Sequence, residues 1–539
     1  MTQLGFVIDH SRCIGCHACT VACKSENDVP LGNFRTWVKY TERGEFPQVR
    51  RHFAVLRCNQ CTAAPCVAIC PTNALAKRPD GIVDIDPAAC IGCKSCMQGC
   101  PYDALYINPD LGTAQKCHFC AHRTERGLAP ACAVVCPTEA IIPGDFDDPT
   151  SLVARLRAEG GLAVRKAEAG TGPNVYYKEA DAAGLSPLAT HAAGGYIWSQ
   201  QLASPQLEAD RFRAQQEHAS AAGAAALAMA MPSRPAMPPF EPMSRTVYDV
   251  PRPALWGWKV SAYLFTKSAA AGLFLAAALL GPGFLAEPSR ALVSLGGALA
   301  FMLVTTALLV LDLKRPERFL YILLRPNWNS WLARGSVILI GYSNLLVLWV
   351  ALGLFGPADT GWIARPFGWL LIGATAVFAV WTAGYTAKLF AQAKGRVLWM
   401  QRGLFTHLVA QALVAGAGLL LLAHPFLPGA GPLEHRAIVA ILVVGLVVHA
   451  YCTLAKARAA PRGRSAEYAQ AVALVTRGPY ARRHWVCGVA LGIALPLALL
   501  LLPLPSTTLV ASLAALAALV GLASEEDVLV RAGQALPIS

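Results

Sequence analysis

Cys90-Ile91-Gly92-Cys93-Lys94-Ser95-Cys96-Met97-Gln98-Gly99-Cys100-Pro101 spaces four cysteines as C-x2-C-x2-C-x3-C and closes on proline. Cys13, Cys16, Cys19 and Cys23 repeat the spacing. Cys58, Cys61, Cys66 and Cys70 give C-x2-C-x4-C-x3-C, and Cys117, Cys120, Cys132 and Cys136 give C-x2-C-x11-C-x3-C. Pro71 and Pro137, like Pro101, follow the last cysteine of their groups. Three thiolates on one tight loop reach three irons of a single cubane, and the fourth points away toward another cluster. Gly15 and Gly92 let the backbone wrap closely. The proline cannot continue a helix interior and turns the chain out of the site. A disulfide framework suits a small secreted domain, and structural zinc favours paired C-x2-C knuckles. Four complete runs within about 125 residues point to iron–sulfur clusters instead.

These runs occupy one part of an uneven chain. Its 539 residues exceed a single core, so two or more domains are expected. Residues 1–250 hold most of the charge and 16 of the 18 cysteines, whereas 251–539 consist of long Leu-, Ala-, Val- and Gly-rich runs. Cys452 and Cys487 stand alone among apolar residues and read as small buried hydrophobes. The net charge of +13 is carried mainly by loops between apolar runs, which fits membrane topology rather than nucleic-acid binding. Met1–His10 shows neither a basic stretch leading into an apolar one nor a twin arginine, so no export signal is expected.

Eight apolar segments are long enough to cross about 30 Å of hydrocarbon: approximately 258–281, 290–312, 333–356, 365–390, 403–427, 434–457, 484–503 and 506–526. Eight crossings return the chain to the side on which it entered. Loops on that side carry sixteen Lys and Arg, among them Lys314, Arg334, Arg402 and Arg464, against Arg290, Arg365 and Arg436 opposite. The positive-inside rule makes the cysteine-bearing side cytoplasmic, in a bacterial inner membrane. The fold expected is an α+β double ferredoxin-like iron–sulfur domain over 1–189, a linker over 190–250, and an all-α eight-helix transmembrane bundle over 251–539. Within the first domain, Asn174-Val175-Tyr176-Tyr177 reads as a strand.

Two resemblances sharpen this. Cys58-Asn59-Gln60-Cys61, Ala64-Pro65-Cys66, Cys70-Pro71-Thr72, Lys116-Cys117-His118-Phe119-Cys120, His122-Arg123 and Pro130-Ala131-Cys132 resemble the iron–sulfur subunit of the DMSO reductase and polysulfide reductase type. The resemblance covers roughly residues 5–145 and implies four 4Fe-4S clusters with exchanged last ligands. Cys13, Cys16 and Cys19 then join Cys136, and Cys117, Cys120 and Cys132 join Cys23. Cys58, Cys61 and Cys66 join Cys100, and Cys90, Cys93 and Cys96 join Cys70. Leu311-Asp312-Leu313-Lys314-Arg315-Pro316-Glu317-Arg318-Phe319, Asn327-Trp328-Asn329-Ser330-Trp331, Arg334-Gly335 and Arg531-Ala532-Gly533-Gln534 resemble the NrfD/polysulfide-reductase membrane anchor. That implies a haem-free bundle that binds quinone, ubiquinone or menaquinone, and a separate molybdopterin-containing catalytic subunit as partner. Cytoplasmic placement resembles membrane-bound sulfite dehydrogenases.

Ionisable groups inside a membrane are costly and are candidates for function. Near the cysteine-bearing end of their helices these are Tyr263, Lys267, Asp312, Arg334, Tyr385, His407 and His449. Lys267, two to three turns into the first helix, needs a partner; Asp312 is one candidate, and Asp312 with Arg334 is another pairing. His407 and His449 on successive helices also offer a b-type haem reading, against which the resemblance speaks. Glu525 and Glu526 near the end of the last helix read first as a terminal solvated pair, with proton carriage as the alternative. No residue of this chain is expected to be catalytic for the partner's substrate. The function expected is electron transfer between a molybdenum subunit and quinone; the alternatives are a redox-coupled ion translocator and a cytochrome-linked subunit.

Overall fold

A computed structural model describes residues 2–44, 47–191, 244–250, 252, 254–356, 360–501 and 508–539. Most of the stretch read as a linker therefore lies outside the described residues. The chain divides into two compact units, one of residues 1–255 with 393–396 and 534–539, the other of 256–392 with 397–533.

The first unit is built on short strands rich in β-branched and aromatic residues, as half-buried strands require. β1 (Leu4–Asp9) is the centre of a three-stranded sheet, antiparallel to β8 (Ile141–Asp145) and parallel to β9 (Val175–Lys178). β9 covers the strand expected from Asn174-Val175-Tyr176-Tyr177. β2 (Thr36–Arg43) and β3 (Arg50–Arg57) pair antiparallel, with Thr36 opposite Arg57. β11 (Ser244–Tyr248) extends that sheet along β2, with the two-residue β10 (Thr190–His191) on its outer edge. Phe6, Ile8, Trp37, Val55, Leu56, Phe119, Val175 and Tyr177 form the core of the unit. Two hairpins complete it, β4–β5 (Leu75–Lys77, Val83–Ile85) and β6–β7 (Leu105–Ile107, Ala114–Lys116).

One local device recurs three times. After Cys70-Pro71, Cys100-Pro101 and Cys136-Pro137 the chain passes through a left-handed residue, Asn73 at φ 55°, Asp103 at 52° and Glu139 at 52°. An alanine follows, and then β4, β6 or β8 begins. Proline leads the chain away from the cysteine, and the left-handed residue reverses it into a strand. The two halves are thus the same turn-and-strand unit used repeatedly, as a double ferredoxin-like fold requires.

Among the described residues the second unit holds eight helices long and apolar enough to cross a membrane: Trp258–Leu280, Pro288–Leu311, Trp331–Phe355, Pro366–Gln392, Leu404–Phe426, Pro432–Arg458, Arg483–Leu501 and Thr508–Ala535, with mean hydropathy of 1.6 to 2.4. The chain is a multi-pass membrane protein. The first and fifth spans are the innermost, each with 72% of its apolar window buried, against 22% to 33% for the second, third, sixth and seventh. Their closeness is a glycine effect. A Cβ on Gly272 would stand 1.7 Å from the Ala412 carbonyl oxygen, and one on Gly416 would stand 1.9 Å from the Gly272 carbonyl carbon. Small residues let backbones touch, which is how apolar helices associate without a hydrophobic driving force. Gly492 and Gly521 do the same for the last two spans.

Candidate functional site

The cysteine groups sit on loops shaped by left-handed residues. Gly15 and His17 in the first group, and Gly92 and Lys94 in the third, all have φ between 60° and 73°. The short helices Ala18–Glu26 and Ser95–Gly99 then carry the third cysteine of each group inward. None of the eighteen cysteines is in a disulfide. Thiols distant in sequence are brought within electrostatic reach of one another. Cys13 faces Cys136 and Cys16, and Cys19 faces Cys13. Cys23 faces Cys117, Cys132 and Cys120. Cys66 faces Cys100, Cys58 and Cys61, and Cys96 faces Cys93, Cys90 and Cys70.

Neighbouring quartets also come within electrostatic reach of one another, through Cys19 and Cys132, Cys58 and Cys117, and Cys96 and Cys66. The quartets therefore form a row that starts at Cys13, Cys16, Cys19 and Cys136 and ends at Cys70, Cys90, Cys93 and Cys96.

These surroundings fit cubane clusters. A cavity is lined by Cys70, Cys90, Cys93 and Cys96. Burial pushes the Cys19 thiol up to about 11 and those of Cys61, Cys93 and Cys100 up to about 12. Such groups become thiolates only when cations bind them. Burial also acts on Cys136, but N–H groups of Ala140, Thr138 and Ile141 outweigh it and hold that thiol below its ordinary value.

Arg57 is fully buried and donates from Nη1 to Cys132 Sγ at 3.2 Å, while its Nε and Nη2 have no protein partner. Unsatisfied buried donors beside thiols suit an anionic cluster. Lys116, also buried, donates to the carbonyls of Val83 and of Cys117 and lies beside Cys58. Sequence reading missed both cations. Their signal was adjacency to cysteine, with Arg57 preceding Cys58 and Lys116 preceding Cys117.

The second unit gathers polar groups in its interior. Lys267 donates to Thr386 Oγ1 at 2.6 Å and to the Ala383 carbonyl at 3.0 Å. The Tyr263 hydroxyl shares Thr386 Oγ1 at 3.0 Å, and the Lys267 ammonium lies 5.1 Å from the centre of the Tyr385 ring. Gly335 makes room for that ring; a Cβ there would stand 2.2 Å from Tyr385 Cε2. Tyr263, Lys267 and Tyr385 are thus brought together. The carboxylate within electrostatic reach of Lys267 is Glu526, where Asp312 was one candidate. Asp312 instead closes the second span, half-buried, with its N–H on the Leu308 carbonyl. Arg334 is exposed, donates to the Trp328 carbonyl at 2.5 Å and lies over the Trp331 ring.

Glu525 and Glu526 correct a second expectation. They are 2% and 0% exposed, not a solvated pair. The last helix continues through Asp527 and Arg531 to Ala535, beyond the apolar run that marked its end in sequence. Glu526 accepts from Ser268 at 3.1 Å. Glu525 pairs with Lys456 at 3.0 Å and with His449 Nε2 at 3.1 Å. His449 Nδ1 meets His407 Nε2 at 2.9 Å, so His407 belongs to this second group and not to the first. Thr386, Lys456 and the two glutamates are the residues here that sequence reading left unassigned or placed at a surface.

Comparison with known proteins agrees with both units. Residues 246–537 match the polysulphide reductase, NrfD family, and residues 49–146 match a 4Fe-4S dicluster domain. The chain is 45% identical to a tetrathionate reductase subunit of Salmonella typhimurium over 37% of its own length and 80% of that protein. It is 39% identical to a selenate reductase subunit of Mesobacillus selenatarsenatis over 32% of its length and 70% of that protein. It is 35% identical to the arsenate respiratory reductase iron–sulfur subunit of a Shewanella species over 32% of its length and 95% of that protein.

Proposed function

The chain belongs to the polysulphide reductase NrfD family and carries an iron–sulfur electron-transfer domain on the same polypeptide, and from that premise we propose that it wires a catalytic molybdopterin subunit to membrane quinone through four 4Fe-4S clusters. The observation that carries the reading is the row of four thiol quartets joined covalently to a quinone-type anchor. Cys13, Cys16, Cys19 and Cys136 hold the first cluster; Cys117, Cys120, Cys132 and Cys23 the second. Cys58, Cys61, Cys66 and Cys100 hold the third, and Cys90, Cys93, Cys96 and Cys70 the fourth. Bound there, the clusters supply one-electron steps; the chain's own part is to hold them in a row, exclude water and balance their charge with Arg57 and Lys116.

The similar proteins named above are each one subunit of a reductase, which supports a separate catalytic partner for this chain. Quinone chemistry needs an apolar slot with a donor for each ring oxygen. The first polar group supplies donors in Lys267 and Tyr263, with Tyr385 as a wall; Asp312, Arg334 and His407 remain candidates for its approaches. The basic loops favour a cytoplasmic iron–sulfur domain in the bacterial inner membrane, and sulfite is then the first substrate to try.

The test is gentle extraction of the native complex. A stoichiometric large subunit with molybdenum, about sixteen irons per chain and sulfite-dependent reduction of a water-soluble quinone analogue are expected. A complex without molybdenum, or with about eight irons per chain, overturns the reading.

A further inference from the structure

The bundle interior holds more ionisable groups than seating a quinone requires. Lys267, Glu526, Glu525, His449, His407 and Lys456 come from the first, fifth, sixth and eighth spans and are each at most 6% exposed. Charged groups within a membrane need one another and mark ion or proton routes.

The hydrogen bonds and ion-pair contacts give this set a direction. Glu525 Oε1 takes the Lys456 ammonium at 3.0 Å and the Thr453 hydroxyl at 3.2 Å. Its Oε2 lies 3.1 Å from His449 Nε2, an ion-pair contact that does not have hydrogen-bond geometry. A carboxylate only accepts, so once that contact aligns into a hydrogen bond His449 holds its proton on Nε2 and offers Nδ1 as an acceptor. His407 Nε2, 2.9 Å from that Nδ1, is therefore the donor. The chain His407→His449→Glu525 is oriented so that a proton reaching His407 Nδ1 moves along it. The Nε2 proton of His407 passes to His449 Nδ1, and the Nε2 proton of His449 passes to Glu525 Oε2.

Glu526 follows Glu525, and successive helix positions differ by about 100°. Glu526 accordingly faces Ser268 and Lys267 of the first span, while Glu525 faces the sixth. Glu526 Oε2 is buried with no protein hydrogen-bond partner. His407 lies in the first turn of the fifth span and Lys456 in the last turn of the sixth, at the basic-loop end. Lys267 lies nine residues past Trp258, about 13 Å along its helix.

We infer that Glu525 and Glu526 join two polar groups into a proton conduit, running from the basic-loop end through His407 and His449 to the Lys267–Tyr263 pocket. The inference rests on the proposed quinone reaction in that pocket. Quinone takes two electrons from the iron–sulfur domain and two protons, one per ring oxygen, and the conduit delivers the protons; quinol oxidation runs it in reverse. Lys456 sits 3.0 Å from the carboxylate that a metal would share with the two histidines. Its charge repels a cation there and leaves the triad to protons. Among the described residues, His484 and Cys452 also lie within electrostatic reach of Glu525.

The test uses the whole complex, with cluster oxidation by a water-soluble quinone analogue followed in H2O and D2O. Glu525→Gln and Glu526→Gln should each slow that oxidation at least tenfold, as loss of a positioned proton carrier does. Each should raise the solvent isotope effect, while iron content and reduction by dithionite stay as in the wild type. Glu525→Asp keeps a carboxylate, guards against misfolding of the Gln variant, and should recover much of the rate. Wild-type rates and isotope effects in both Gln variants overturn the conduit alone. A wild type that does not react with quinone overturns the quinone reading and the conduit with it. Stoichiometric zinc that disappears in Glu525→Gln overturns the conduit by making the triad a metal site.

Discussion

Replacing Arg57 with methionine should lower the midpoint potential of the clusters it touches by roughly 100 mV. The side chain is 0% exposed and its Nη1 is 3.2 Å from Cys132 Sγ, with Cys117 and Cys19 also near. At an effective dielectric of about 20, a unit charge that close to a thiolate is worth roughly 5 kcal/mol. An added electron spreads over a whole cluster, which about doubles the mean distance and leaves roughly 2.5 kcal/mol. At about 1.4 kcal/mol and 59 mV per tenfold for a one-electron couple, that is roughly 100 mV. The sign follows from charge: reduction makes the cluster more negative, a buried cation favours that state, and its loss lowers the potential. Methionine retains much of the packing over Phe6, whose ring centre lies 4.4 Å from the guanidinium, so the change is mainly electrostatic. An EPR-monitored redox titration of the full chain reads it. The cluster proposed for Cys70, Cys90, Cys93 and Cys96 is the internal control, since the thiols around Arg57 are Cys132, Cys117 and Cys19. A shift under about 20 mV, an upward shift, or an equal shift of all clusters would refute a local electrostatic role for Arg57.

Three further outcomes test other parts of the molecule. Gly416→Val forces a side chain into the Gly272 backbone, where even a Cβ would be 1.9 Å away; it should cost several kcal/mol or prevent assembly, read as detergent-solubilised thermal stability. Cys136→Ser should remove or alter the first cluster while the cluster of Cys70, Cys90, Cys93 and Cys96 persists, seen as loss of about a quarter of the iron and of one EPR signal. His10 is lowered to about 4 by burial, and its Nε2 has no hydrogen-bond partner. The unfolded chain therefore takes up a proton near 6.5 that the folded chain refuses. Stability is intact above about 6.5 and falls as pH drops toward 4, by at most about 3 kcal/mol. His10→Phe should flatten that dependence in thermal unfolding of the full chain between pH 7.5 and 4.5.

Spacing alone determined much of this protein. Iron–sulfur ligation is written into short cysteine loops because a cubane accepts only certain local geometries, and Cys90 to Pro101 carries that constraint within one turn. Span count was equally local, since crossing hydrocarbon demands length and apolarity that any window of residues displays. Neither kind of information says which distant groups meet. That Cys19 adjoins Cys132 and Cys58 adjoins Cys117, setting the quartets in a row, depends on how the two ferredoxin-like halves fold onto each other. Arg57 looked like an ordinary strand residue because its cost of burial is offset by thiols distant in sequence, Cys132, 75 residues further along, together with Cys117 and Cys19. Glu525 and Glu526 looked solvated because an apolar run ended there. Tertiary packing carried the helix on to Ala535 and gave each carboxylate its partners, Lys456 and His449 for one and Ser268 and Lys267 for the other. A buried charge is stable only when its counter-charge arrives from elsewhere in the chain, so its position belongs to the fold and not to the segment that contains it.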